Sequence, residues 1–212
     1  MSIQQGIRSR GVTLIEMMIV VAILALLAAI ASPDLSSFFI NVRLTTANNA
    51  FVTALNEARS EAIKRGVAVA MRRCDVVNPA LGCTQVSLPQ EWTKGWYMFV
   101  DVDRNMTRDT SASSQEEVIR IGQSLSPPMT LWSPSHFGDV IQFLPDGRMS
   151  FLIPANFLLC YGGRVTQNAQ SRSRAILVST SGRVRQGWDV ATNRPENEYG
   201  DDMSDANCTN PY

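Results

Sequence analysis

The chain is 212 residues long, 45% hydrophobic and 18% charged, which is enough to bury one sizeable core and too little for several. Its 19 basic and 19 acidic residues cancel. That balance excludes a global field aimed at nucleic acid or at an acidic substrate, and leaves any electrostatic partner to local clusters.

The first segment, MSIQQGIRSRG, is polar and carries Arg8 and Arg10 without an acid, as expected of residues retained on the cytoplasmic side of a membrane. Val12 to Ala31 follows, apolar apart from Thr13 and Glu16, and roughly 20 residues of helix just cross a bilayer core. The simplest topology is a single span, N-terminus inside and the remainder outside. Ala29-Ile30-Ala31 also fits the A-x-A site of a cleavable secretory signal, and a plain anchor is a further reading. Neither accounts for Glu16. A charge at the centre of a span costs about 2.5–3.5 kcal/mol on insertion scales, and less near the interface.

Beyond the apolar run the helical pattern continues. No glycine occurs from Ser32 until Gly66, and Leu44, Ala47, Phe51, Leu55, Ala58 and Ala62 recur at spacings of three and four, which makes one apolar stripe. Asp34 near its start and Lys64 with Arg65 at its end complement the helix dipole, and Gly66 suits the C′ position.

After Gly66 the period changes to two. VAVAMRR, GWYMFVDVD, EEVIRIGQ, MTLWS, VIQFLPDGRMSFLI, FLLCYGG and RAILVSTSGRVRQGW are short runs rich in Val, Ile and aromatic residues, separated by Pro, Gly, Ser and Asn. Asp146-Gly147 between VIQFL and RMSFL signals a hairpin. The expected fold class is α+β, a long N-terminal helix packed on a mainly antiparallel β head.

Cys74, Cys83, Cys160 and Cys208 are an even set without a CxxC or a Cys/His cluster, so two disulfides are expected in an exported chain rather than a zinc site. Four cysteines allow three connectivities. Cys74 with Cys83 closes a short loop containing Pro79 and Gly82, and Cys160 with Cys208 ties down a polar tail; this is the pairing we expect.

The head offers little enzyme chemistry. The lone His136, in SPSHFGD, has no nucleophile elbow or metal motif beside it and reads as a surface-loop residue. DVDRN, with Asp101, Asp103 and Asn105, mimics the start of an EF-hand loop, but Met106 stands where Gly is required and Ala112 where the bidentate Glu belongs. It reads as a strand end entering a turn. No Gly-rich phosphate loop occurs, and neither catalysis, cofactor nor metal is expected.

One local charge cluster stands out. Arg164, Arg172, Arg174, Arg183 and Arg185 occur between positions 164 and 186 with no acid among them. If GRVR is extended, Arg183 and Arg185 project to one face, where guanidinium forks hold phosphates. The plainer reading is a solvated face. Asp189, Glu196, Glu198, Asp201, Asp202 and Asp205 follow with only Arg194 to offset them, so a tethered tail could neutralise the patch.

RG-VTLIE, the apolar helix behind it and Ser32-Pro33 resemble the class III signal of type IV pilins and pseudopilins. The resemblance implies that a prepilin peptidase cuts after Gly11 and methylates the new N-terminus at Val12, where the family usually has Phe. Glu16 becomes the fifth mature residue, and Pro33 the twenty-second, where such pilins commonly carry a helix-kinking proline. The implied partner of Glu16 is the cationic α-amine of Val12 in its own or a neighbouring subunit, which makes the acid an assembly-register device.

GWYMFVDVD, the Phe143-Leu144-Pro145 and Gly147-Arg148 turn, and STSGRVR are similar to the GspH/FimT group of minor pilins and pseudopilins. The expected division is a cleaved leader at 1–11, a transmembrane and filament-core helix at 12–31, its amphipathic continuation at 32–66, and a periplasmic or extracellular β-rich head with a disulfide-tethered acidic tail at 67–212. The resemblance implies a minor pilin at or near a type IV pilus tip, helping to start assembly. Its partners would be other minor and major pilins, the inner-membrane assembly platform and the prepilin peptidase, with the chain anchored by a single pass in a bacterial inner membrane until it joins the pilus. The alternative is the minor pseudopilin of a type II secretion system; the four cysteines and GRVR lean to the pilus. In FimT-type minor pilins a GRxR motif is linked to DNA binding in natural transformation, and Gly182, Arg183 and Arg185, with Arg172 and Arg174 nearby, are the matching residues.

Overall fold

The computed structural model describes residues 11–74, 77–78, 82–83, 91–111, 116–133, 139–167, 170–187, 194–197, 201, 203–204 and 208, except the side chains of residues 29–35, 77, 78, 82, 83 and 170. The chain divides into two units, the first ending at Phe39 and the second beginning at Ile40. A single helix, α1 (Leu14–Arg65), supplies residues to both, and its assignment runs through Pro33, whose side chain lies outside those described. Glu16 in its first turn and Lys64 with Arg65 in its last place acids and bases where the helix dipole favours them.

In the second unit the apolar stripe of α1 meets the core. Leu44, Phe51, Leu55, Ala58 and Ala62 are buried, joined by Ala54, with Ala47 half-buried at the margin. Past Gly66 come β1 (Ala68–Arg73), β2 (Val77–Asn78), β3 (Gly82–Cys83), β4 (Trp96–Asp101), β5 (Val118–Gly122), β6 (Met129–Trp132), β7 (Val140–Phe143), β8 (Ala155–Tyr161), β9 (Thr166–Gln167), β10 (Gln170–Ser171), β11 (Ser173–Val178) and β12 (Val184–Gly187). Two antiparallel four-stranded sheets result, in the orders β5-β4-β1-β7 and β12-β11-β8-β6, with two short ribbons beside them.

Alternation along the strands divides each sheet into two faces. Val69, Met71, Met98 and Ile141 of the first sheet, and Phe157, Leu159, Ile176 and Val178 of the second, share one core with the α1 stripe. Phe51 lies at its centre, edge-on to Trp92, Trp96 and Phe157 at centroid distances of 5.9, 6.4 and 5.0 Å. The reverse face of the first sheet gathers Ala70, Cys74, Tyr97, Phe99 and Val140. That of the second gathers Leu158, Cys160, Val165, Ala175 and Leu177 with Met203 and Cys208 of the tail.

The expected hairpin at Asp146-Gly147 forms but is short. Gly147 N–H donates to Leu144 O and Leu144 N–H to Arg148 O, both at 2.8 Å, and Ser150 N–H donates to Gln142 O at 3.0 Å, so the two arms pair around the single Phe143–Met149 bridge. Met149 N–H, facing away from β7, donates to Thr180 O at 3.0 Å, which ties the second arm to the β11–β12 turn as well.

Candidate functional site

The start of α1 is capped from both sides. Thr13 Oγ1 accepts from Glu16 N–H at 3.3 Å, while Glu16 Oε2 accepts from Thr13 N–H at 3.5 Å. This reciprocal pair is a capping box, and T-x-x-E is its sequence signature. Glu16 was read from the sequence for its charge alone, so the local role was missed although the spacing announces it. Both residues lie on the same side of the expected cut after Gly11, so cleavage leaves the box intact. From Gly11 to Ala28 every residue is exposed, including Val12 at 67%, Leu14 at 79% and Leu26 at 64%. Among the described residues no helix is long and apolar enough to cross a membrane; the span expected over 12–31 includes positions 29–31, whose side chains lie outside them.

The GRVR residues form the β11–β12 hairpin and its turn. Gly182 N–H donates to Ser179 O at 2.8 Å, Ser179 N–H to Arg183 O at 3.0 Å, and Val178 pairs with Val184. Gly182 is buried with φ +76°, and a Cβ there would stand 2.0 Å from Gly147 O. The two turns named separately in the sequence are thus stacked on each other. Arg59 of α1 holds them, its Nε donating to Gly147 O at 2.8 Å and its Nη2 to Ser181 O at 3.3 Å. Nothing in the local sequence announces Arg59, because its acceptors are backbone carbonyls 88 and 122 residues away.

The five clustered arginines do not form one patch. Arg183 and Arg185 are exposed on either side of half-buried Val184, and Arg185 lies opposite Leu177. Arg172 and Arg174 share the alternation of Ile176 and Val178, which face the α1 core. Both are half-buried; Arg174 donates to Ser171 Oγ at 3.1 Å, Ser173 O at 2.8 Å and Asn41 Oδ1 at 3.3 Å, and burial lowers its guanidinium pKa from the ordinary value. Arg183 and Arg185 are therefore the exposed pair, Arg172 is half-buried, and Arg174 is held by the fold.

Met203 and Cys208 of the tail pack against the second sheet. Cys160 and Cys208 are joined by a disulfide with a Cα–Cα distance of 5.8 Å, and Met203 packs with Leu158 and Leu177. A Cβ on Gly187 would stand 2.4 Å from Glu196 O, so the returning chain passes against the end of β12. Cys74 is also disulfide-bonded, and the side chain of its expected partner, Cys83, lies outside the described residues, as does the whole of His136. A cavity of about 350 Å³ opens between α1 and both sheets, lined by Phe51, Trp96, Arg120 and Leu131 among others. Only one group of three potential metal-ligating side chains occurs among the described residues: Asp101, Asp103 and Glu116, at the end of β4 and the start of the approach to β5.

Comparison with known proteins gives these features a context. A family model described as type II transport protein GspH matches residues 47–182, and one described as the prokaryotic N-terminal methylation motif matches residues 7–32. No curated protein matches the chain. Among solved structures, the type IV minor pilin FimU of Pseudomonas aeruginosa strain PAO1 is similar at 17% identity and a TM-score of 0.52, covering 74% of this chain and 96% of that one. The minor pseudopilin EpsH from the type 2 secretion system of Vibrio cholerae aligns at 13% identity and a TM-score of 0.41, covering 68% and 95%. At these identities the FimU likeness is one of fold.

Proposed function

This chain belongs to the GspH family of type II transport proteins, a family of structural pilins and pseudopilins, and from that premise we propose that it is a minor pilin of a type IV pilus, placed at or near the tip and helping to start assembly. The observation that carries this reading is the exposed apolar run from Val12 to Leu27, at the start of α1 and within the match to the N-terminal methylation motif. Apolar surface of that extent is stable only in a bilayer or against other helices of the same kind. A single-pass anchor over 12–31 holds the subunit in the inner membrane with its head in the periplasm until it enters the filament. A leader cut after Gly11 and methylation at Val12 make that passage possible. Purified protein from membranes is expected to begin at Val12 with one added methyl by mass spectrometry; a start at Ser32 would make it a secreted soluble head and remove the filament.

Glu16 then has two roles in sequence. Before assembly it caps its own helix through Thr13; in the filament its carboxylate meets the charged amine of a Val12. At 4 Å such a pair is worth about 4 kcal/mol in an effective dielectric of about 20, which favours one stagger of subunits over its neighbours. Glu16→Gln separates the roles, because glutamine keeps the capping box and loses the charge. The expected result is a normal membrane level and at least a tenfold loss from sheared pili, measured by immunoblot; incorporation at the wild-type level would refute charge pairing.

The exposed pair Arg183 and Arg185 favours a second activity, binding of DNA through its phosphates without regard to sequence. Full-length protein in detergent is expected to retard duplex DNA at low salt. Replacing both arginines by glutamine should reduce the slope of log K against log salt by about two, since each phosphate contact contributes about 0.9. An unchanged slope removes DNA from these residues. The alternative to the pilus, a type II secretion pseudopilin, shares the helix and the assembly chemistry.

A further inference from the structure

From the convergence of Asp101, Asp103 and Glu116 and the burial of the first and last, we propose that these three carboxylates, at the end of β4 and just before β5, form a calcium site on the reverse face of the first sheet. Carboxylate oxygens of the three residues lie within 4.8 Å of one another. Asp101 is fully buried and its Oδ1 has no hydrogen-bond partner. A buried carboxylate oxygen left without a donor loses its hydration for no return, and a cation beside it supplies what is missing.

The remaining oxygens are held in place by donors. Asp101 Oδ2 accepts from the Gln142 side chain and from Met106 N–H at 3.0 Å. Glu116 Oε1 accepts from Val102 N–H at 2.7 Å and Oε2 from Asp109 N–H at 3.0 Å, while Asp103 Oδ1 takes Asn105 N–H at 3.1 Å. Asp101 Oδ2 has both lone pairs engaged, but its Oδ1 is left over, and the accepting oxygens of Glu116 and Asp103 each keep a further lone pair, so the carboxylates are oriented without being used up. None of the three is in an ion pair among the described residues. Arg108 and Arg72, the neighbouring cations, donate to the backbone oxygens of Glu116 and Met106, and Arg72 pairs with Asp139 at 2.6 Å.

Two departures from an EF-hand that spoke against a metal in the sequence are resolved by the geometry. Met106, at the position that requires glycine, has φ +62° and takes the left-handed turn regardless. The missing twelfth-position acid is replaced by Glu116, which the chain brings back four residues later than the template expects. The donor set is all oxygen, which selects a hard cation over zinc or copper. Oxygens on one calcium ion lie up to about 5 Å apart, and on magnesium only about 4 Å, so calcium needs the smaller rearrangement.

The test is equilibrium dialysis of the chelator-stripped full chain in detergent against radiolabelled calcium, with thermal unfolding alongside. One ion per chain is expected, with a Kd on the order of 10⁻⁴–10⁻³ M. At about a hundredfold excess over Kd the thermal midpoint should rise by about 6 °C. Asp103→Ala, at an exposed position that the core does not need, should weaken binding at least tenfold. Asp101→Asn should abolish binding while leaving the calcium-free midpoint unchanged or higher, since it removes a buried charge; an acid present only for structure would lose stability there. The proposal fails if the wild type binds no stoichiometric calcium at about 10 mM, or if Asp103→Ala binds as the wild type does.

Discussion

Alanine at position 182 is expected to lower the stability of the full-length protein by roughly 3 kcal/mol, a fall in thermal midpoint of about 8 °C, and to do so without touching either arginine of GRVR. Two effects combine. The φ of +76° strains any residue with a side chain by about 1–2 kcal/mol. The new methyl would also overlap Gly147 O at 2.0 Å, and because that atom is backbone, the Leu144–Arg148 turn must move and stretch the Arg59 hydrogen bond. Gly66→Ala is the control, with a similar φ of +67° and nothing within 4 Å of the added carbon, and it should cost only about 1 kcal/mol. Equal midpoints for the two variants would show that the stacked turns are not tightly coupled. The comparison also bears on DNA binding: a Gly182 variant that no longer retards DNA reports a displaced hairpin, so only Arg183 and Arg185 can test the contact.

Replacing Cys160 and Cys208 together by serine is expected to cost about 4 kcal/mol by chain entropy, because the disulfide closes a loop of 48 residues. The double replacement avoids leaving one thiol to exchange with Cys74. Cys208 and Met203 also cover Leu158 and Leu177 on the reverse face of the second sheet, so their release exposes apolar surface that the sheet cannot cover otherwise. The midpoint should fall by about 10 °C, and proteolysis should clip the chain after Gly187 before it attacks the sheets. A shift below about 2 °C would mean that the tail holds its place by packing alone.

Much of this architecture was legible because each signal was local. A stripe at spacings of three and four needs one apolar side to be a helix, and Leu44, Phe51, Leu55, Ala58 and Ala62 are buried along it. The short β-rich runs gave strands for the same reason, and Asp146-Gly147 gave a turn. What the turn signal could not convey was the second partner of the next segment: besides pairing with β7, Met149 bonds the β11–β12 turn through Thr180, which lies 31 positions beyond it in the chain. Arg59 was invisible for that reason too. The arginine cluster misled because closeness in sequence says nothing about faces, and alternation sends Arg174 toward Asn41 and Arg185 away from it. Asp101, Asp103 and Glu116 escape a fixed EF-hand template because a template counts positions, whereas these three carboxylates meet through space.

The place of β12 in its sheet has a consequence that does not depend on DNA. Among the described residues β12 is an edge strand only four residues long, with Arg185 within it and Arg183 at its entry. An open edge invites a strand from another molecule, and short length with fixed charge is the usual deterrent. Two guanidinium groups on that border keep the sheet from being extended by the wrong neighbour. Association is thereby steered to the helix, where a filament needs it.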